Sequence, residues 1–222
     1  MSGFSQILRR DVLLSAGRGT DALTGAFFFA LVAALFALSM GGMPDQLLSA
    51  APGVLWVAML LAALLAQEMI WHRDFEDGTF DHLLLAGVSP FEMVCAKMAA
   101  HWIISGLVLT VIAVPVSQIL LLPAFSLLTL VPSLLVGSLY LSIFGGLGAC
   151  LTLGARRPGV LMALIVLPLY VPMLLLGILA LSACLSGQDA LPSLLGQMAL
   201  LLVALPPCLL AGSTLLKQHV RS

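Results

Sequence analysis

Of the chain's nine basic and ten acidic side chains, eight fall between Gln67 and His101: Glu68, Arg73, Asp74, Glu76, Asp77, Asp81, Glu92 and Lys97. Six of these are acidic, and His72, His82 and His101 lie among them. Carboxylates and imidazoles at this density could ligate a metal, relay protons or meet a basic partner. The histidines form neither HExxH nor CxxCH, so metal or haem ligation has no motif behind it, and surface histidines amid acids are usually solvated. Cys95, Cys150, Cys184 and Cys208 are dispersed without CxxC spacing and read as small apolar side chains in packed helices. The only lysines are Lys97 and Lys217, and neither belongs to a GxxxxGK[ST] loop. The chain therefore lacks the backbone cradle and lysine that hold ATP phosphates, and catalysis of its own is not expected.

The elements that must position these groups are membrane helices. The 222 residues are 61% hydrophobic and 9% charged, with a mean hydropathy of +1.16. Soluble domains carry about 25% charged residues, and disorder requires low hydrophobicity, so both classes are excluded. The formal net charge of -1 offers no basic field for nucleic acid. About 20 apolar residues cross a bilayer as a helix. Six stretches qualify: Ala22 to Met40, Leu47 to Ala66, Trp102 to Leu122, Leu127 to Leu153, Val160 to Leu185 and about Leu194 to Leu216. As bounded here they contain no Asp, Glu, Lys, Arg or His. Self-sufficient proton coupling is disfavoured, because such transporters commonly place ionisable groups inside the membrane. Glu68, at the inner end of the second span, is the nearest exception and is read as snorkelling or helix-end pairing. Ala37-Leu38-Ser39 resembles a signal cleavage site, but the apolar run is longer than a signal peptide uses, and the segment is read as a retained span.

All nine Lys and Arg fall on one side of a six-span arrangement: Arg9, Arg10 and Arg18; Arg73 and Lys97; Arg156 and Arg157; Lys217 and Arg221. The positive-inside rule makes that side the cytoplasm and places both termini there. Phe4, Ile7, Leu8 and Val12 recur at helical spacing, with Arg9 and Asp11 among the other positions, which predicts an amphipathic helix at the interface. Trp71 and Trp102 suit an aromatic belt at the inner interface.

The long connection predicts a helical hairpin. Asp77-Gly78 breaks the chain, and Thr79 caps a short helix running to Gly87 with Asp81 in its first turn. Phe80, Leu83, Leu84 and Gly87 lie along its apolar side, available to headgroups, neighbouring helices or a partner. Ser89-Pro90-Phe91-Glu92 reads as a capping box with Pro at the first helical position, opening a helix that runs through Lys97 into the third span. Ser138, Ser142 and Gly146 recur every four residues with Gly145 and Ala149 beside them, a small-residue seam for close helix packing within the bundle or across a dimer. The prolines within the spans, Pro115, Pro132, Pro168, Pro172, Pro206 and Pro207, kink or terminate helices.

Several segments together resemble the CcmB family of cytochrome c maturation. They are Ala51-Pro52-Gly53-Val54-Leu55-Trp56-Val57-Ala58, Arg73-Asp74-Phe75-Glu76-Asp77-Gly78-Thr79 with its following leucines, Lys97-Met98-Ala99-Ala100-His101-Trp102, Arg157-Pro158-Gly159-Val160-Leu161 and Val166-Leu167-Pro168-Leu169. The resemblance spans nearly the whole chain in order and spacing. It implies an all-α polytopic permease of the ABC-2 type with six transmembrane helices in the bacterial inner membrane. Its implied partners are a CcmA ATPase, which binds the ATP, with CcmC, CcmD and functionally the chaperone CcmE. Haem is the implied substrate of the complex rather than a cofactor of this chain. A second copy of the chain is a further candidate partner. The single permease domain then divides into an N-terminal amphipathic helix (1–21), spans one and two (22–66), a cytoplasmic coupling segment (67–101) and spans three to six with the tail (102–222). Within the coupling segment the expected ATPase contacts are Asp74, Glu76, Asp77, Gly78, Thr79, Phe80, Leu83 and Leu84. Two other readings stand beside this one: a permease exporting a lipid or polysaccharide, and a non-transporting membrane scaffold.

The topology has a direct check. Single cysteines at Asp45, Ala124 and Asp189 in a Cys-free background should label from the periplasm, and one at Arg157 should not. Labelling at Arg157 with none at Asp189 would invert the orientation.

Overall fold

The computed structural model describes residues 3–18, 20–41, 43–153, 155 and 158–219. Among them there are only helices and turns, in the order α1 (Gly3–Arg18), α2 (Thr20–Ser39), α3 (Pro44–Glu76), α4 (Thr79–Leu85), α5 (Pro90–His101), a π-helical segment (Trp102–Leu107), α6 (Val108–Ile119), a short 3-10 turn (Ala124–Ser126), α7 (Leu127–Thr152), α8 (Pro158–Leu185) and α9 (Leu191–His219). The basic turn at Arg156 and Arg157 and the terminal Arg221 lie outside the described residues, as do the side chains of Arg18, Glu68, His72 and Arg73.

Among the described residues five helical runs are long and apolar enough to cross a membrane: Pro44–Gln67, Pro90–Ile119, Ala124–Thr152, Gly159–Leu185 and Leu191–Gln218. The chain is an all-α polytopic membrane protein. The first expected span is shorter, with an apolar stretch of Leu23–Ser39 inside the 20-residue α2. Its inward side, with Phe29 and Ala33 fully buried, packs against α3 and α6.

Two boundaries differ from the sequence expectation, for the same reason. Nothing local stops either helix where apolarity fades. α3 continues past Gln67 for a total of 33 residues, roughly 50 Å at 1.5 Å per residue, well beyond a hydrocarbon core of about 30 Å. The segment expected to connect spans from Gln67 onward thus begins as a continuation of α3, and the expected hairpin starts only after Gly78. Likewise the helical run long and apolar enough to cross a membrane starts at Pro90 rather than at Trp102 and includes Glu92, Lys97 and His101, in keeping with a helix that runs from the capping box through Lys97.

α7 is the central helix, packing against α3, α5, α8 and α9 and against the π segment. Its glycines explain how so many neighbours approach it. At Gly137 and at Gly177 of α8 a Cβ would overlap the ring of Trp56, which projects from α3 and is 1% exposed. A Cβ at Gly148 would overlap Val166. Tyr140 and Tyr170 then cross between α7 and α8 reciprocally, donating to the carbonyls of Leu169 at 3.0 Å and Leu141 at 2.7 Å. Close backbone approach and polar cross-links are what hold helices together where lipid removes the hydrophobic drive.

Overpacking a buried site typically costs about 1–3 kcal/mol. Gly177→Ala should therefore lower the thermal midpoint of the detergent-solubilised protein, whereas Gly53→Ala, where a Cβ meets nothing within 4 Å, should leave it within a degree or so of wild type. Equal midpoints for the two variants would refute the Trp56 packing.

Candidate functional site

The site lies where α1, the end of α3, α4 and the start of α5 meet. α3 ends at Glu76, and Gly78 takes the left-handed backbone conformation (φ 65°) that reverses the chain into α4. Gly78, not Thr79, is the N-cap, and no side chain caps this helix. The expected Thr79 cap is displaced because the left-handed turn makes Thr79 the first helical residue. α4 also ends earlier than expected, at Leu85. Gly87 (φ 81°) closes it, with the Gly87 amide donating to Leu84 at 2.9 Å and the Val88 amide to Leu83 at 3.1 Å. This paired pattern is a Schellman stop, which needs a residue free to adopt positive φ. Gly87 therefore terminates the helix instead of lining its apolar side. The next signal behaves as its spacing predicts. The Ser89 hydroxyl accepts the Glu92 amide, the Ser89 amide donates to the Glu92 carboxylate, and Pro90 opens α5.

The two sides of α4 face different surroundings. Phe80 is 2% exposed and stacks obliquely on Trp71 with ring centroids 6.1 Å apart. Leu83 and Leu84 are half-buried and pack against the same core. The apolar side is turned into the protein's own bundle. The outward side presents Asp81, His82, Ala86 and Leu85, the last 86% exposed, beside exposed Glu76 and Asp77. Trp71 is 1% exposed and so is not part of an interfacial belt: α4 folds over it through Phe80. Trp102 is half-buried and donates to Ser138 at 3.1 Å.

Beneath α4 lies a cluster of charges. Lys97 is 1% exposed, with its ammonium 2.6 Å from Asp74 and 3.2 Å from Asp11. Arg10 pairs with both of the same carboxylates, 2.8 Å from Asp11. Among the described residues the cluster thus holds two cations and two anions. The Lys97 ammonium also sits 5.5 Å from the Phe80 ring centroid and 6.0 Å from that of Trp71, within cation–π range. At Arg10 burial opposes the charge, but the Asp11 and Asp74 carboxylates outweigh it and raise the guanidinium pKa.

The amphipathic spacing of α1 placed Asp11 with the polar positions. It is instead 7% exposed, on the same side as buried Ile7, and α1 lies along α5. Of the residues expected to contact a partner, Asp74 is committed to this internal cluster. Arg10, Asp11 and Lys97 are the members not assigned from sequence to any site. The available signal was a lone lysine inside Met93-Val94-Cys95-Ala96-Lys97-Met98-Ala99-Ala100, a segment otherwise without polar groups.

One turn deeper, the α7 seam meets a polar layer. His101 is fully buried, not solvated, with Nδ1 2.8 Å from the Ser142 hydroxyl. Gln67 donates to the Ser142 carbonyl at 3.2 Å. Gly145 leaves room for Gln67 and the Tyr170 hydroxyl, and Gly146 for Met98 and Trp71. Ser138, Ser142, Gly145 and Gly146 thus face helices of the same chain. Among the described residues no group of three His, Cys, Asp or Glu side chains is placed to hold a metal ion.

These features define a helical membrane protein whose longest connection is folded back onto its own N-terminal helix. A family model described as CcmB protein matches residues 2–215, and the chain belongs to that family. It is 41% identical over 202 residues to a Pseudomonas aeruginosa protein named Heme exporter protein B, covering 91% of each chain. To the Paracoccus denitrificans protein of the same name it is 37% identical over 215 residues, covering 97% of this chain and 99% of the relative. To that of Escherichia coli K12 it is 34% identical over 180 residues, covering 81% and 82%.

The orientation of α4 is checked by thiol labelling in a Cys-free background. A cysteine replacing Leu85 should react with a membrane-impermeant maleimide in inverted vesicles. One replacing Phe80 should react only after denaturation. Equal reactivity would mean that the helix is not seated as described.

Proposed function

We propose that this chain is the membrane permease subunit of an ATP-driven complex that serves haem delivery in cytochrome c maturation. Membership of the CcmB family and the shared name of the relatives support this reading. The proposed setting is the bacterial inner membrane, with six spans, α2 among them, and both termini cytoplasmic. The chain carries no phosphate-binding loop, so the ATPase is a separate subunit, CcmA. CcmC and CcmD complete the complex, and haem-loaded CcmE is what it releases. The chain itself is a non-catalytic subunit.

The observation that carries the mechanism is the outward side of α4. Leu85 stands exposed on the same helix as exposed Asp81 and His82, with exposed Glu76 and Asp77 just before that helix, on the proposed cytoplasmic side. This surface, not the buried Phe80, is the proposed docking point for the ATPase: one exposed apolar side chain with the Asp81 carboxylate one helical turn before it, suited to an apolar pocket with a basic edge. ATP-driven closure of the ATPase would press on α4 and, through α3 and α5, tilt the second and third spans.

Burying one leucine is worth roughly 1.5–3 kcal/mol, and 1.4 kcal/mol is a factor of ten in affinity. Leu85→Asp should therefore weaken binding of the ATPase subunit by about tenfold or more without disturbing insertion, because the residue is 86% exposed. The purified chain alone should hydrolyse no ATP. Full ATPase binding by the Leu85→Asp protein, with normal cytochrome c maturation, would sink the docking surface.

A further inference from the structure

A buried ammonium shared by two carboxylates from different helices is a costly arrangement. Taking the charges out of water costs several kcal/mol per ion, and well-packed apolar residues are often as stabilising or more so. Where such a cluster persists, its distinctive contribution is geometry: charges bind only at fixed distances, and apolar surfaces slide. Here the partners are far apart in the chain, Lys97 being 86 residues from Asp11. Asp11 belongs to α1, Asp74 to the end of α3, and Phe80, over the ammonium, to α4.

We propose that Lys97 is the positioning residue of the coupling apparatus, a role that rests on the reading of α4 as the ATPase-docking helix. Asp11 and Asp74 pin α1 and the α3–α4 turn to its ammonium, and Phe80 closes over it. A push on α4 therefore cannot be absorbed by rotation of α4 about its flanking glycines, Gly78 and Gly87. It is delivered to α5. Five residues beyond Lys97 the helix loosens into the π-helical segment Trp102–Leu107, which packs on α7 through Trp102 and Ser138 and through the close approach that Gly106 allows. Such segments are frequent at functional sites. In this protein the segment lies where a displacement of α5 must be taken up before it reaches α6. The α1 helix thus acts as part of the transmission and not only as an anchor.

The test uses the intact complex. Lys97→Met alone would leave Asp11 and Asp74 sharing Arg10 as their one described cation, so it is paired with Asp11→Asn, which leaves Arg10 matched with Asp74. The double variant should bind the ATPase subunit as wild type does and sustain ATP hydrolysis. Its yield of mature cytochrome c per ATP hydrolysed should fall about tenfold, the scale of a coupling free energy between two sites. Amide hydrogen exchange over residues 79–85 should accelerate. Lys97→Arg, which keeps the cation, should recover both readouts. Asp11→Asn alone leaves Lys97 and Arg10 paired with Asp74 and reads the direct α1–α5 link by the same two measurements if the double variant does not insert. An unchanged yield per ATP with unchanged exchange would overturn the proposal. So would a yield that falls only in step with ATPase binding, since that is loss of docking or folding and not of transmission. Failure of the underlying docking reading shows separately, as undiminished ATPase binding by the Leu85→Asp protein.

Discussion

An ammonium group withdrawn from water must find counter-charge within hydrogen-bond distance. At Lys97 that requirement draws together four elements that the chain visits at widely separated points. Two carboxylates neutralise the lysine, and their surplus charge in turn requires Arg10. Because the carboxylates sit on α1 and at the end of α3, the N-terminal helix is tied to α5, and α3 cannot end where its apolar residues do. α4 is then laid over the cluster by Phe80, which leaves Leu85 as its outward apolar side chain. The proposed docking surface lies on the side of α4 turned away from this cluster.

A second constraint acts within the membrane, where lipid tails compete equally for apolar side chains and only close approach distinguishes a neighbouring helix from solvent lipid. α7 answers it with glycine. The space left at Gly137, Gly145, Gly146 and Gly148 is filled by Trp56, Gln67, Met98 and Val166 from α3, α5 and α8. The same helix supplies Ser138 and Ser142 to Trp102 and His101. The polar layer and the tight seam are one surface, and this links the π-helical segment firmly to the centre of the bundle.

What the sequence made legible was local. The capping box at Ser89 and Glu92 is determined by residues three apart, and the chain reversal at Gly78 by the freedom of one residue, so both could be read from the spacing. The apolar runs likewise announced the membrane helices. What was not legible depended on tertiary partners. The apolar side of α4 is evident from periodicity, but periodicity does not say whether that side meets a partner or the protein's own core; Trp71 and Lys97 decide it. Gly87 looked like part of a helix because small residues are common on packed faces, whereas its backbone conformation is what ends the helix. The pairing of Asp11 with Lys97 could not be read from spacing, because the two stand 86 residues apart. The one trace left in the sequence is placement: Lys97 stands alone in an apolar helical segment, and Asp11 falls four residues after Ile7, on its buried side.

The central claim is that α1 and α4 move as one body and transmit displacement to the third span. Spin labels at Gln6 on α1 and Ala86 beside α4, both exposed, allow their separation to be measured by pulsed dipolar spectroscopy in the assembled complex, nucleotide-free and trapped with ATP. A third label at Leu195, near the far end of α9, supplies the reference. The account predicts that the Gln6–Ala86 distance distribution stays the same in both states while each label's distance to Leu195 shifts. A Gln6–Ala86 distance that changes with nucleotide, while Gln6–Leu195 does not, would show α4 moving free of α1 and would contradict the account.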